Sequence, residues 1–139
     1  MAAKDSSKDI KIIKNIKDIT ILSFENELIQ VLLNILNNSK DALLKLGNER
    51  KLIFINAYTQ DKFVVIEIKD NAKGIKEEIM DKIFEPYFTT KHQSQGTGMG
   101  LYMSQNIVKN YLNGTLNVSN ENYVYKDVSY IGVKSSIKI

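Results

Sequence analysis

The chain has 139 residues, 43% hydrophobic and 25% charged, with a formal net charge of +3, one histidine and no cysteine. This is the composition of a single soluble globular domain able to bury a core; it excludes a disulfide framework, a thiolate metal site and a membrane span of ~20 apolar residues. The basic residues are scattered lysines apart from Arg50 and a run at Lys8, Lys11, Lys14 and Lys17, so the clustered, arginine-rich footprint of a nucleic-acid binder is missing.

In chain order, residues 1 to 9 are polar and are expected to form a disordered or cloning-derived tail, with no signal-peptide pattern. Ile10 to Ile16 and Ile19 to Leu22 read as two short strands separated by Lys17-Asp18. From Glu25 to Leu46 the period becomes helical, with Leu28, Leu32, Ile35, Ala42 and Leu46 on one stripe. A neighbouring stripe (Ile29, Leu33, Leu36, Leu43) widens the apolar face and predicts a mostly buried helix, stopped at Gly47-Asn48. Lys51 to Tyr58 and Lys62 to Lys69 read as a hairpin around Thr59-Gln60-Asp61, and Asp70 to Gly74 as a turn. Lys76 to Phe84 predicts a short helix halted near Pro86, and Leu101 to Leu112 a helix closed by Asn113-Gly114. Thr115 to Ser119 and Ser129 to Ile139 alternate and read as the last two strands. The expected fold class is α+β: a two-layer sandwich, its mixed, mostly antiparallel sheet covered by helices on one face.

Three stretches are candidates for chemistry. Gly96, Gly98 and Gly100 alternate before an apolar run and follow a polar segment, which describes a glycine-hinged flap ending at a helix N-terminus, where exposed N–H groups favour anions. The spacing matches neither the P-loop GxxxxGK[ST] nor the dinucleotide fingerprint GxGxxG. The long helix carries Asn34, Asn37, Asn38, Ser39 and Asp41 in its interior, all poor helix formers. Asn34, Asn38 and Asp41 share one face at steps i, i+4 and i+7. That face is either solvated or selected for chemistry; amide oxygens with one carboxylate suit Mg²⁺ bridging phosphates. Asp70 closes a strand before a tight turn. It is either a simple turn residue or a pocket carboxylate that accepts from adenine's exocyclic amine and repels guanine's carbonyl.

In this order the pieces resemble the catalytic ATP-binding domain of sensor histidine kinases, within the gyrase, heat-shock chaperone, histidine kinase and mismatch-repair ATPase superfamily (the Bergerat ATP-binding fold). QVLLNILNNSKDAL (Gln30 to Leu43) looks like the N box, and DNAKGI (Asp70 to Ile75) like the first glycine box. IFEPYFTTK (Ile83 to Lys91) resembles the F box, and GTGMGL (Gly96 to Leu101) the second glycine box. The resemblance covers the chain from about residue 10 onward and implies ATP and Mg²⁺ as cofactors. It implies that Asn38 coordinates Mg²⁺, with Asn34 and Asp41 on the same helix face. It implies that Asp70 reads adenine, with Gly74 and Ile75 shaping the base pocket. Thr90 and Lys91 would belong to the lid, and Gly96, Thr97, Gly98, Met99, Gly100 and Leu101 would supply the hinge and the phosphate-facing amides. The family pattern DxGxG is broken by Ala72, and Ala tolerates positive φ poorly, so either affinity or turn geometry is open to change there while the pocket itself is expected to survive.

Hydrolysing members of the superfamily resemble one another in placing a Glu one turn before the Mg²⁺ asparagine; here that position is Asn34, and an amide is no general base. ATP is then expected to stay intact until a phosphoacceptor arrives. The resemblance implies that the acceptor is a histidine on a separate dimerising hairpin, since His92 lies in the lid and reads as an exposed loop residue. The implied partners are that phosphoacceptor domain and a downstream response regulator. The isolated domain is expected to be monomeric and cytoplasmic, the soluble catalytic part of a homodimeric two-component kinase whose membrane anchoring the sequence leaves open. The competing readings are an anti-sigma-type serine kinase and a degenerate nucleotide-sensing module, the latter resting on Ala72 alone.

Overall fold

The structure, a computed structural model, describes residues 9–47, 49–88 and 100–139. Its long apolar stripe becomes helix α1 (Glu25–Leu43), continued by a 3₁₀ turn at Leu44–Leu46. Glu25 and Glu27 occupy the first turn and Lys40 the last, each sign favourable at its end of the helix dipole. Gly47 closes the turn at φ 68, and the Lys51 ammonium donates to its carbonyl oxygen at 2.5 Å, placing a cation where the dipole is negative.

Five strands form one sheet: β1 (Ile10–Ile16), β2 (Lys51–Gln60), β3 (Phe63–Asp70), β4 (Thr115–Tyr125) and β5 (Val128–Lys138). The order is β1-β2-β3-β5-β4, with β1 parallel to β2 and every other pair antiparallel. Two further helices, α2 (Glu77–Met80) and α3 (Gly100–Asn110), follow β3. The pairings Ile55↔Ile68, Ile66↔Ile137 and Leu116↔Ile137 put one apolar row on a single face. Against that row α1 packs Val31, Ile35 and Leu43, and α3 packs Val108. The expected two-layer α+β sandwich is therefore the observed one.

Several boundaries move. Ile19 to Leu22 is not a strand: Ile21 and Leu22 are exposed, because the segment crosses from β1 to α1 without a neighbour to pair with. The second stripe of α1 is less buried than its leucine content predicts, since Ile29 and Leu33 face outward at 45% and 53% exposure, whereas Val31 is in the core. The predicted helix from Lys76 to Phe84 shrinks to one turn, followed by turns that still bury Ile83. The first hairpin turns at Asp61-Lys62, with Asp61 at φ 54. The last hairpin is longer than predicted. β4 continues through Asn120-Glu121-Asn122 to Tyr125, and Lys126-Asp127, both at positive φ, make the tight turn that fits strand twist.

On the face away from the helices, Phe54 meets Tyr123 and Tyr125 edge-on, with ring centroids 5.5 and 5.1 Å apart. The Lys69 ammonium lies 4.0 Å from the Tyr123 centroid and 3.6 Å from Glu121. This network ties the long β4 to the middle of the sheet. Truncating the buried Leu43 or Ile35 to alanine is expected to cost about 2–5 kcal/mol, and Leu22→Ala, at a fully exposed position, less than about 0.5 kcal/mol, read as urea-unfolding midpoints.

Candidate functional site

Asp70 ends β3 on the helix-covered face and is 2% exposed. Its Oδ1 accepts from the Ala72 N–H at 3.0 Å and from the Val133 N–H of β5 at 3.1 Å, and the Ser39 hydroxyl of α1 hydrogen-bonds the same carboxyl. Burial pushes its pKa above the ordinary 3.8, against the pull of those three bonds. A short polar side chain in the middle of α1 thus has a purpose: Ser39 is 7% exposed and reaches the strand end.

The turn after Asp70 is gripped on both sides. Asn71 is buried and acts as a piece of extra strand beside β2, its Oδ1 accepting from Leu52 N–H at 2.9 Å and its Nδ2 donating to the Arg50 carbonyl at 2.8 Å. Ala72 packs against the core and is not among the positive-φ residues; those are Lys73 at φ 72 and Gly74 at φ 81. The expectation that Ala72 alters the turn is therefore corrected, because no positive φ is required of it. Gly74 does need to be glycine, since a Cβ there would also sit 2.7 Å from Asn120 Oδ1. The Asn120 amide clamps Ile75, accepting from its N–H and donating to its carbonyl, both at 2.7 Å.

On α1, Asn34, Asn38 and Asp41 are half-buried along one face, as their spacing predicts. The Asn34 Nδ2 donates to Ser104 Oγ on α3 at 3.1 Å, so this residue ties the two helices together. Asn38 directly precedes Ser39, which places it at the level of Asp70 along α1. Gly100 and Leu101 open α3, and a Cβ at Gly100 would meet nothing within 4 Å among the described residues. Thr90, Lys91, His92, Gly96, Thr97, Gly98 and Met99 lie outside the described residues. Reading the sequence named Ser39 and Asn71 without giving either a role of its own, and missed Asn120, Tyr123 and Gly132. The out-of-place serine in α1 carried a signal; an Asn-rich run such as Asn120 to Asn122 reads as loop.

Residues 24–135 match the family described as the histidine kinase-, DNA gyrase B-, and HSP90-like ATPase. The chain belongs to this ATPase family. Over 99 residues it is 37% identical to the two-component sensor PprA of Pseudomonas aeruginosa, covering 69% of this chain and 11% of that protein. Over 96 residues it is 38% identical to the sensor histidine kinase ZraS of Escherichia coli, covering 69% of this chain and 19% of that one. It thus spans about a tenth to a fifth of these relatives. In fold it is similar to the nucleotide-free catalytic domain of histidine kinase ThkA, with a TM-score of 0.76 and 26% identity over 94% of this chain and 78% of that one. Within that family, its sequence and fold are similar to those of sensor histidine kinases and of a histidine kinase catalytic domain.

The raised pKa of Asp70 has a defined consequence. A carboxyl that holds its proton more tightly when folded supports stability most below 3.8, and that support is lost as pH rises through the higher folded value. Urea unfolding of the ligand-free domain is therefore expected to show the wild type losing stability relative to Asp70→Asn as pH rises from 3.8 toward neutrality. A constant difference across that range would show that Asp70 carries no shift.

Proposed function

We propose that this domain binds Mg-ATP and donates the γ-phosphate to a histidine on a separate dimerisation and phosphoacceptor domain of a two-component sensor kinase. The observation that carries the reading is the buried Asp70 carboxylate, held by backbone and hydroxyl dipoles at the end of β3. A carboxylate in that place accepts from the exocyclic amine of adenine and opposes the carbonyl of guanine. Gly74 and Ile75 belong to the turn beside it, against which the base would lie on this reading.

Asn34, Asn38 and Asp41 present oxygen donors along one half-buried helix face, and these are the hard donors that Mg²⁺ takes. Asn38 is the residue that would hold it; when bound, Mg²⁺ neutralises phosphate charge. The backbone N–H groups of Gly100 and Leu101, at the start of α3, suit the phosphates as well. Thr90, Lys91, Gly96, Thr97, Gly98 and Met99 enter the reading on sequence alone, as lid and phosphate loop.

Transfer on this reading is in-line. The acceptor imidazole nitrogen forms a bond to the γ-phosphorus as the bond to the β–γ bridging oxygen breaks and ADP leaves. No carboxylate stands at position 34 to activate water, and the Asn34 amide is already engaged with Ser104. The acceptor domain and a response regulator are the partners of the parent, a homodimer whose isolated catalytic domain is monomeric and cytoplasmic.

Calorimetric titration with ATP and GTP, with and without Mg²⁺, is expected to show binding of ATP only, lost in Asp70→Asn. Equal binding of GTP would remove Asp70 from base reading. The isolated domain is also expected to turn over ATP well below the about 1–10³ s⁻¹ typical of enzymes. Steady hydrolysis within that range would overturn the role given to Asn34.

A further inference from the structure

The part of the chain that grips the candidate base pocket from behind is the β4–β5 hairpin, and none of the four sequence boxes includes it. Five separate bonds run from this arm to the loop of residues 70–75. The Tyr123 hydroxyl donates to the Asp70 carbonyl oxygen at 2.7 Å, and the Val133 N–H donates to its carboxylate at 3.1 Å. The Ile131 carbonyl accepts from the Lys73 N–H at 2.9 Å. Asn120 holds both backbone polar groups of Ile75. Gly132 makes the approach possible: a Cβ there would stand 1.6 Å from the Asp70 carbonyl oxygen.

We propose that Asn120 and Tyr123 are positioning residues for the nucleotide pocket, fixing Asp70, Gly74 and Ile75 where the base is read. This rests on the nucleotide reading above. Physically, the loop cannot hold itself. Of its two consecutive residues at positive φ, Gly74 takes that conformation freely, but Lys73 is a non-glycine residue whose costly backbone conformation persists only where surroundings over-determine it. The arm supplies that determination at both ends: at Asp70 through a phenol, and at Ile75 through a side-chain amide that mimics a strand partner. Tyr123 is suited to the task because burial first, and the Asp70 charge next, raise its pKa and keep its phenol a donor. Its ring is fixed independently, packed on Phe54 and Lys69.

The test uses this domain with Tyr123→Phe, Asn120→Ala and, as a control on the same arm, the exposed Val124→Ala. Two quantities are read below the melting temperature. One is amide hydrogen exchange at Ala72, Lys73 and Ile75 against amides of central β2 in the ligand-free protein. The other is the dissociation constant for ATP and for GTP. Tyr123→Phe keeps the ring and removes only the hydroxyl. Each of the two positioning variants is expected to speed exchange in the loop with β2 unchanged and to weaken ATP binding about five- to tenfold, with a smaller ATP-over-GTP ratio. Val124→Ala is expected to leave both unaltered.

Loop exchange identical to wild type in Tyr123→Phe and Asn120→Ala would overturn the proposal. So would faster loop exchange with unchanged ATP and GTP affinities, which would make the arm a structural brace only. If the wild type binds neither nucleotide, the nucleotide reading falls. Faster loop exchange in the variants would then still support the arm's hold on the loop, and unchanged exchange would overturn that too.

Discussion

Burying the Asp70 carboxylate sets the terms for the rest of this structure. Removing such an ion from water costs several kcal/mol, and a carboxylate can only accept hydrogen bonds, so donors must be brought to it. They come from three directions in the fold: the turn that follows β3, the neighbouring strand β5 and the middle of α1. None is a cation. Among the described residues the charge is favoured by these dipoles, and burial still outweighs them, leaving a carboxyl that is partly desolvated and ready for a further donor. Meeting those three donors fixes the height of α1 over the sheet and the register of β5 beside β3.

The open face of the sheet serves the same site indirectly. Lys69 sits between aromatic rings and Glu121, while Lys134 lies 3.3 Å from Glu121 and 3.8 Å from Glu67. Exposed ion pairs contribute little singly, but here they are part-buried, linked and stacked on rings. They hold β4 against β3 through β5 and stiffen an arm that extends past the last paired residue of β3, Lys69↔Lys134. Tyr123 belongs to both systems, with its ring in the aromatic stack and its hydroxyl on Asp70.

The fold class and the helix-face trio Asn34, Asn38 and Asp41 were legible because periodicity and propensity are local properties. A run of Asn, Ser and Asp inside a leucine-rich helix conflicts with propensity, and such conflicts mark sites. What stayed hidden was non-local. That Ser39 reaches Asp70 while Asn34 reaches Ser104 depends on where β3 and α3 dock, at separations of 31 and 70 residues. Asn120 to Asn122 looks like a loop because its polar side chains lack the apolar alternation of a half-buried strand. It pairs as strand because β5 offers its edge, and Asn120 then finds a backbone to clamp. Ile19 to Leu22 shows the reverse: β-branched residues with no neighbour to receive them stay unpaired.

Ala72 shows how a motif departure should be weighed. Read as a pattern, the loop lacks a glycine its family usually has, and the site looks damaged. Read through its dihedrals, the two residues at positive φ are Lys73 and Gly74, so the substitution falls where alanine costs nothing and packs a methyl on the core. The strain sits instead on Lys73, a non-glycine residue at φ 72, at about 1–3 kcal/mol for such a backbone. The exposed Lys73–Glu49 pair at 3.0 Å offsets little of that. The Lys73 N–H bond to Ile131 on β5 and the clamp on Ile75 are what remain to hold it. The integrity of this loop therefore depends less on its own glycines than on the hairpin 45 residues later in the chain.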